Sequence, residues 1–435
     1  MKNTFALKGT IVQADGPQRL AVCEGYAVCE NGVCAGTFAA LPGKYAGLPV
    51  ADYTGKLVVP GLVDLHVHAP QYAYRGTAMD LELLDWLDRY TFPEEAHYAD
   101  AQYAQKGYAD FVQAIKNTAT TRAVVFGTLH TDATLTLMRL LDAAGMAGFV
   151  GKVAMDRNSP DNYREPSAEA GLAETRRWLD AWQGDAAAAN GRVHPILTPR
   201  FTPSVTPGYM RGLGELAAAR HLPVQSHLSE NPKEIEWVQA LEPDCHCYGE
   251  TYARYALFGG ATPTVMAHCV WSEGEEAERM LKNGVFVAHC PTSNENLGSG
   301  IAPAARFLRQ GYAIGLGSDV AGGHTLDLFA VMRSAIQMSK LRWRYVEPET
   351  KPLTMPEAFY MATAGGGAFF DAPGLPEAER VRVGRLAEGY AFDAAVLDDA
   401  ALATVRAMTP AERLERWVYT GGAPSAKYVG GQRVL

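Results

Sequence analysis

The 435-residue chain is 48% hydrophobic and 20% charged, with a formal net charge of −9 and a pI near 5.7. That composition describes a globular protein with a large core, and length alone divides it into about two or three domains. The acidic balance excludes a protein that grips nucleic acid or anionic membrane by bulk electrostatics, which leaves a small-molecule partner.

The opening stretch MKNTFALKGTIVQADG carries no basic region followed by a long apolar core, and no run of roughly eighteen apolar residues occurs. No membrane span and a cytoplasmic location are therefore expected. Seven cysteines, an odd number in a large chain, do not read as a disulfide framework. Cys23, Cys29 and Cys34 match no zinc-knuckle spacing, and the pair Cys245 and Cys247 has no second pair after it. Both groups are read as ordinary residues.

Residues 1–60 read as short β segments, FALKGTIVQA, RLAVCEGYAVCENGVCAGTF and KLVVPG, punctuated by glycine. Apolar runs of strand length then recur eight times, in LVVPGLVDLHVH, TRAVVFGTLH, GFVGKVAMD, RVHPILTPRF, LPVQSHLSE, TVMAHC, GVFVAHCPTSN and YAIGLGSDVAGG. Between them, stretches such as 101–116, 169–182, 208–220, 273–282 and 302–309 are rich in Ala, Leu and charge and long enough for helices. Strands alternating with helices imply parallel pairing, and eight such units imply a closed, TIM-like (β/α)8 barrel over residues 61–374. Toward the carboxyl end, RVRVGRLAEGYAFDAAVLDD and SAKYVGGQRVL return to a β-like pattern. Residues 375–435 are expected to join 1–60 in one small β-sandwich domain.

Such a barrel carries its chemistry at the carboxyl ends of its strands. The first run ends in His66 and His68, the fifth in His227 followed by Glu230, the sixth in His268, the seventh in His289 and the eighth in Asp319. Alternation along an extended strand points Asp64, His66 and His68 to one side. His66, His68, His227 and Asp319 together offer three imidazoles and a carboxylate, a donor set for one Zn²⁺ or Fe²⁺ per chain. A bound ion of that kind lowers the pKa of water from about 15.7 towards roughly 7. Asp319 can then hold the attacking water and accept its proton, and Glu230 can carry a proton to a ring nitrogen of the substrate. Glu230 has a plainer reading as a helix-start carboxylate, because SENPKEIEWV also reads as a helix beginning. His268 either joins the metal or hydrogen-bonds the water, and the sequence leaves both open.

The strings PGLVDLHVH, SHLSE, MAHC, HCPTSN and GLGSDVAGG, in this order at these strand ends, resemble the amidohydrolase superfamily in its mononuclear deaminase branch. HAPQY, LLDWLDRYTFPEE, LHTD, FVGKVAMD, TPRFTPS, QSHLSENPKEI and SDVAGG are similar to its guanine-deaminating members, with the likeness running from about Leu57 to Gly323. The resemblance implies a (β/α)8 hydrolase that converts guanine to xanthine and ammonia, in a homodimer. It implies metal ligands at His66, His68, His227 and Asp319 and a proton shuttle at Glu230. It also implies a substrate segment His68, Ala69, Pro70 and Gln71, with Arg200 and Phe201 meeting the purine and His227, Glu230 and Asp319 facing it. Chemistry agrees: Gln71 offers a donor and an acceptor, Arg200 is a fixed planar donor and Phe201 can cover a ring face. Trp86 and Phe92 are read equally as pocket wall and as core. Glu295 and Asn296 follow HCPTSN where the family often has an apolar pair.

Three rivals stand beside this reading: a deaminase of a related heterocycle such as a pterin, a binuclear cyclic-amide hydrolase, and a non-catalytic purine-binding protein. The binuclear kind usually carries a bridging lysine on strand four, but that strand ends TPRF, and Lys152 lies on strand three.

Overall fold

A computed structural model describes residues 4–435; Met1, Lys2 and Asn3, part of the expected amino-terminal segment, lie outside the described residues. Strands β1 (Thr4–Ala14), β2 (Leu20–Glu30), β3 (Val33–Phe38) and β4 (Val50–Pro60) lead into β5 (Leu62–His68). There follow β6 (Thr120–Phe126), β7 (Ala147–Gly151), the two-residue β8 (Val153–Ala154), β9 (Val193–Pro195), the two-residue β10 (Thr198–Pro199) and β11 (Val224–Leu228). Strands β12 (Thr264–His268), β13 (Phe286–His289), β14 (Ile314–Leu316), β15 (Ala394–Leu397), β16 (Ala426–Val429) and β17 (Gln432–Arg433) complete the order.

Eight strands, in the order β11-β12-β13-β14-β5-β6-β7-β9, pair in parallel. A further parallel bridge from Leu197 to Val224 joins the two ends of that order, so the sheet closes into a barrel. Each of the eight apolar runs supplies one of these strands. Every residue of β5, β6 and β7 is buried, as expected where side chains face either the barrel interior or the surrounding helices. The helices form where the sequence is amphipathic and capped. Over Ala101–Lys116, Asp100 accepts from the amides of Gln102 and Tyr103, while Tyr108, Phe111, Val112 and Ile115 face inward.

The two ends of the chain meet in one ladder, ordered β17-β16-β15-β4-β1-β2-β3. Phe5 on β1 and Tyr428 on β16 are three strands apart, roughly 14 Å in a flat sheet. Their ring centroids lie 5.6 Å apart, so the sheet curls over its own face and encloses Leu7, Ile11, Val58, Val396 and Tyr428. The carboxyl segment is less regular than its β-like pattern: a helix, Pro410–Thr420, intervenes, closed by a capping box between Thr409 and Glu412. Asp393 ties this unit to the barrel. Its carboxylate accepts from Arg122 Nε on β6 at 2.7 Å and from the Gly430 amide at 2.7 Å, and its carbonyl accepts from the Gly61 amide.

Candidate active site

Four strand ends converge at the carboxyl mouth of the barrel. The Nε2 atom of His68 lies 3.2 Å from the Nε2 atoms of both His66 and His227. Asp319 Oδ1 stands 3.0 Å from His66 Nε2 and 3.4 Å from His68 Nε2. His227 Nδ1 is 2.6 Å from the Arg200 carbonyl, which can only accept, so Nδ1 carries the proton and Nε2 presents a lone pair. His68 Nε2 carries at most one proton, so it cannot donate to both neighbouring nitrogens, and a close contact between nitrogens is left unbridged. A cation resolves that. A tetrahedral ion with ligand bonds of roughly 2.0–2.1 Å has ligand-to-ligand edges of about 3.3–3.4 Å, close to the spacings observed. Burial first, and mutual repulsion next, hold His68 and His227 well below the usual imidazole range, the neutral form that a metal requires. Burial opposes ionisation of Asp319, but the surrounding imidazoles outweigh it and keep the carboxyl well below the usual range. His66, His68, His227 and Asp319 are thus brought together and fit a metal.

The backbone turns sharply where these groups leave the strands. Ser229, His268, Cys269 and Asp319 all have positive φ, between 45° and 71°. Left-handed backbone at non-glycine residues costs on the order of 1–3 kcal/mol each and clusters where side chains must be aimed. In the Asp319 loop, Gly323 donates to the Asp319 carbonyl at 2.6 Å, and a Cβ there would stand 1.9 Å from the Ser318 carbonyl oxygen. Only glycine fits. Asp64 is turned away from the donors to which alternation had assigned it. Its carboxylate accepts from Ser318 Oγ at 2.5 Å, the Ser318 amide at 3.0 Å and the His66 amide at 3.2 Å, because the β5–β6 register shifts between Asp64 and Val67.

Beside the donor cluster, Glu230 is 3% exposed, and burial pushes its carboxyl up to about 7. Its Oε1 accepts from Ser299 Oγ at 2.9 Å, and its Oε2 lies 3.3 Å from His268 Nε2. The helix-start role belongs instead to Glu234, which forms a capping box with Asn231 and accepts from the amides of Glu230 and Asn231. His268 directs Nδ1 to Asn294 Oδ1 at 3.0 Å and Nε2 toward Asp319 Oδ2 at 3.6 Å. Burial works against its imidazolium, but Glu230 and Asp319 hold its pKa above the ordinary value. His66, His268 and Asp319 also form a second close group of donor atoms. His289 belongs to neither group; it is buried, with its pKa pushed down to about 3.

These groups open onto a pocket lined by Gln71, Leu83, Trp86, Leu87, Arg200, Phe201 and Leu297 together with the polar cluster. Its apolar and aromatic walls with a few convergent polar groups are the composition of a small-molecule site. Gln71 follows β5 in the buried first half of the turn Ala69–Tyr74; Ala69 and Pro70 carry that turn and do not line the pocket. Trp86 lines it. Phe92 lies behind, under the Arg200 guanidinium at 5.2 Å. Phe201 packs edge-on against Trp237.

Glu95 was not anticipated. Fully buried, it accepts from Gln71 Nε2 at 2.8 Å, from Tyr163 Oη at 2.6 Å, and from Arg200 Nη1 and Nη2 at 2.7 and 3.2 Å. The other end of the Gln71 amide accepts from the Ala321 amide at 3.1 Å, so both polar ends are fixed. Ser299, Asn294 and Glu234 were likewise unforeseen. Lys152 is buried against Glu165 at 2.5 Å, away from the donor cluster. Cys245 and Cys247 belong to no group of metal donors among the described residues.

The amidohydrolase family profile matches residues 57–428. A guanine deaminase of Dictyostelium discoideum is 37% identical over 349 residues, 80% of this chain and 74% of its own. That of Escherichia coli K12 is 36% identical over 324 residues, 73% and 69% of the two chains. Among solved structures, a guanine deaminase from C. acetobutylicum with guanine bound in its active site superposes with a TM-score of 0.93 at 40% identity, covering 99% of this chain and 100% of its own. The match takes in the whole barrel together with the strands of the terminal sheet from β15 to β16, and the chain belongs to the amidohydrolase family.

Proposed function

We propose that the protein is a guanine deaminase, which hydrolyses guanine at C2 to give xanthine and ammonia. One observation carries the reading. A buried carboxyl poised near neutrality, Glu230, faces His268 and Asp319 in a pocket that Gln71, Arg200 and Phe201 also line, so that a planar amino-substituted purine there would meet both sets. The similarity to guanine deaminases in sequence and in fold supports it.

In this mechanism His66, His68, His227 and Asp319 would hold one divalent ion per chain, zinc or ferrous iron, which when bound would supply Lewis acidity that brings water near neutral pKa. Asp319 receives the proton of the attacking water, and His268, anchored by Asn294, directs the water's lone pair to C2. Glu230 delivers a proton to the adjacent ring nitrogen, raising the electrophilicity of C2. As the tetrahedral carbon collapses, a proton passes to the exocyclic amine, ammonia leaves and the carbonyl of xanthine forms. Gln71 uses its remaining N–H and lone pair on the purine edge, Arg200 donates to an acceptor of the ring, and Phe201 covers a face.

The same reading takes 1–60 and 375–435 as one domain beside a 61–374 barrel, and the enzyme as a cytoplasmic homodimer of about twice the 47.0 kDa chain mass. Light scattering tests that mass. No helix among the described residues is long and apolar enough to cross a membrane. The deciding experiment is ammonia release from guanine, adenine, cytosine and pterins, with metal analysis of the same sample. Faster turnover of isoxanthopterin than of guanine refutes the substrate assignment. Two metals per chain favour the cyclic-amide hydrolase.

A further inference from the structure

Arg200 is the only Lys or Arg side chain among the described residues that line the cavity, and Glu95 engages both of its Nη atoms. Among the described residues, the tyrosines and the histidine that feel the Glu95 charge supply no compensating cation. Burial keeps Tyr74, Tyr98, Tyr108 and Tyr163 protonated, and it holds His130 below the usual imidazole range. Arg200 therefore reaches the cavity as a directional donor whose positive charge is cancelled from behind.

Substrate and product differ in the property that this cancellation affects. Guanine is neutral near pH 7. Replacing its C2 amine by a second carbonyl makes the ring N–H of xanthine more acidic, so the product reaches its anionic form at a lower pH. An uncompensated guanidinium in a dry cavity would make charge-assisted hydrogen bonds to that anion and retain it. We propose that Glu95 is a positioning residue that neutralises the purine-reading wall, through its bonds to Gln71, Tyr163 and Arg200, and so favours release of the acidic product. The inference rests on the deaminase reading.

The test compares inhibition by xanthine with inhibition by hypoxanthine, which lacks the second carbonyl, in the wild type, Glu95→Gln and Glu95→Asp. Glu95→Gln should tighten xanthine relative to hypoxanthine about tenfold. Glu95→Asp, which retains the charge on a shorter arm, should restore the wild-type ratio while raising KM for guanine. If Glu95→Gln weakens both inhibitors equally, Glu95 only packs the wall and the proposal is overturned. If Glu95→Gln does not fold, the wild type still decides. Its xanthine inhibition relative to hypoxanthine inhibition, which shares every titration of the pocket itself, should weaken as pH rises through the first ionisation of xanthine, located by the ligand's own ultraviolet titration, and tightening of that ratio overturns the proposal. Failure of the wild type to release ammonia from guanine sinks the deaminase reading itself; guanine turnover with tightening sinks only this inference.

Discussion

Glu230→Gln separates proton transfer from every other role of that position. The amide has nearly the same shape, its oxygen can still accept from Ser299 Oγ, and the metal donors are untouched. It cannot carry a proton. Positioned proton transfer contributes about 10²- to 10⁴-fold, so kcat should fall by that factor, or roughly 3–5 kcal/mol in barrier height, with the metal content unchanged. The wild-type pH–rate profile should contain a limb that descends as pH rises through about 7, because the donor is the protonated form, and the variant should lack it. Stability should move the other way. Burial raises the Glu230 carboxyl from 4.5 to about 7, so the folded state binds more protons than the unfolded one between those values, and stability falls as pH rises through that window. Replacing the group should therefore stabilise the protein at pH 8 by up to roughly 3 kcal/mol, at about 1.4 kcal/mol per pKa unit. Steady-state ammonia release and thermal melts read both effects. A variant that deaminates guanine at the wild-type rate refutes the proton-shuttle assignment.

Other perturbations follow from the same geometry. His66→Ala removes one of the crowded imidazoles and should leave dialysed protein nearly metal-free by elemental analysis; one full equivalent retained would remove His66 from the donor set. Ser299→Ala deletes a bond to the ionised form of Glu230, so the descending limb should move about one pH unit upward with modest loss of kcat. An unmoved limb would mean that Ser299 does not act on Glu230. Asp393→Ala breaks the buried pair with Arg122 and should cost about 3–5 kcal/mol in unfolding experiments. Because this pair is remote from the cavity, the folded fraction should keep its KM for guanine, and a changed KM would contradict that separation.

The strand-end residues were legible because each barrel strand is an apolar run of the right length, and the first polar residues after it mark the mouth. That logic finds His66, His68, His227, His268 and Asp319. It fails for Glu95, one of two adjacent glutamates in TFPEE. Glu94 is half-buried and accepts from Tyr103 Oη, while Glu95 is fully buried. Which of them faces inward depends on helix phase, and the preceding turn, Leu87–Thr91, is a π turn that advances the phase by an extra residue. Sequence periodicity assumes 3.6 residues per turn and misses such a slip. Ser299 was hidden for a different reason: it acts from a loop beyond the short helix Pro291–Asn296, where no period constrains direction. The residues around 380–393 alternate like a strand yet run irregularly, since alternation reports burial of every second side chain and does not require a ladder partner.

The seam between the first and last barrel strands has a temporal meaning. Strands β5 and β14 share one ladder pair, Leu316 with Asp64, and the Asp64 carboxylate makes up the join through both the amide and the hydroxyl of Ser318, 254 residues away. On the mouth side, His66 stands two residues beyond Asp64 and Asp319 directly follows Ser318. A refolding chain cannot bring these two candidate metal donors together until its last barrel strand has returned to its first. Capture of an ion by the full donor set would then be a late event, and the rate at which a refolding chain took up the ion would report ring closure itself.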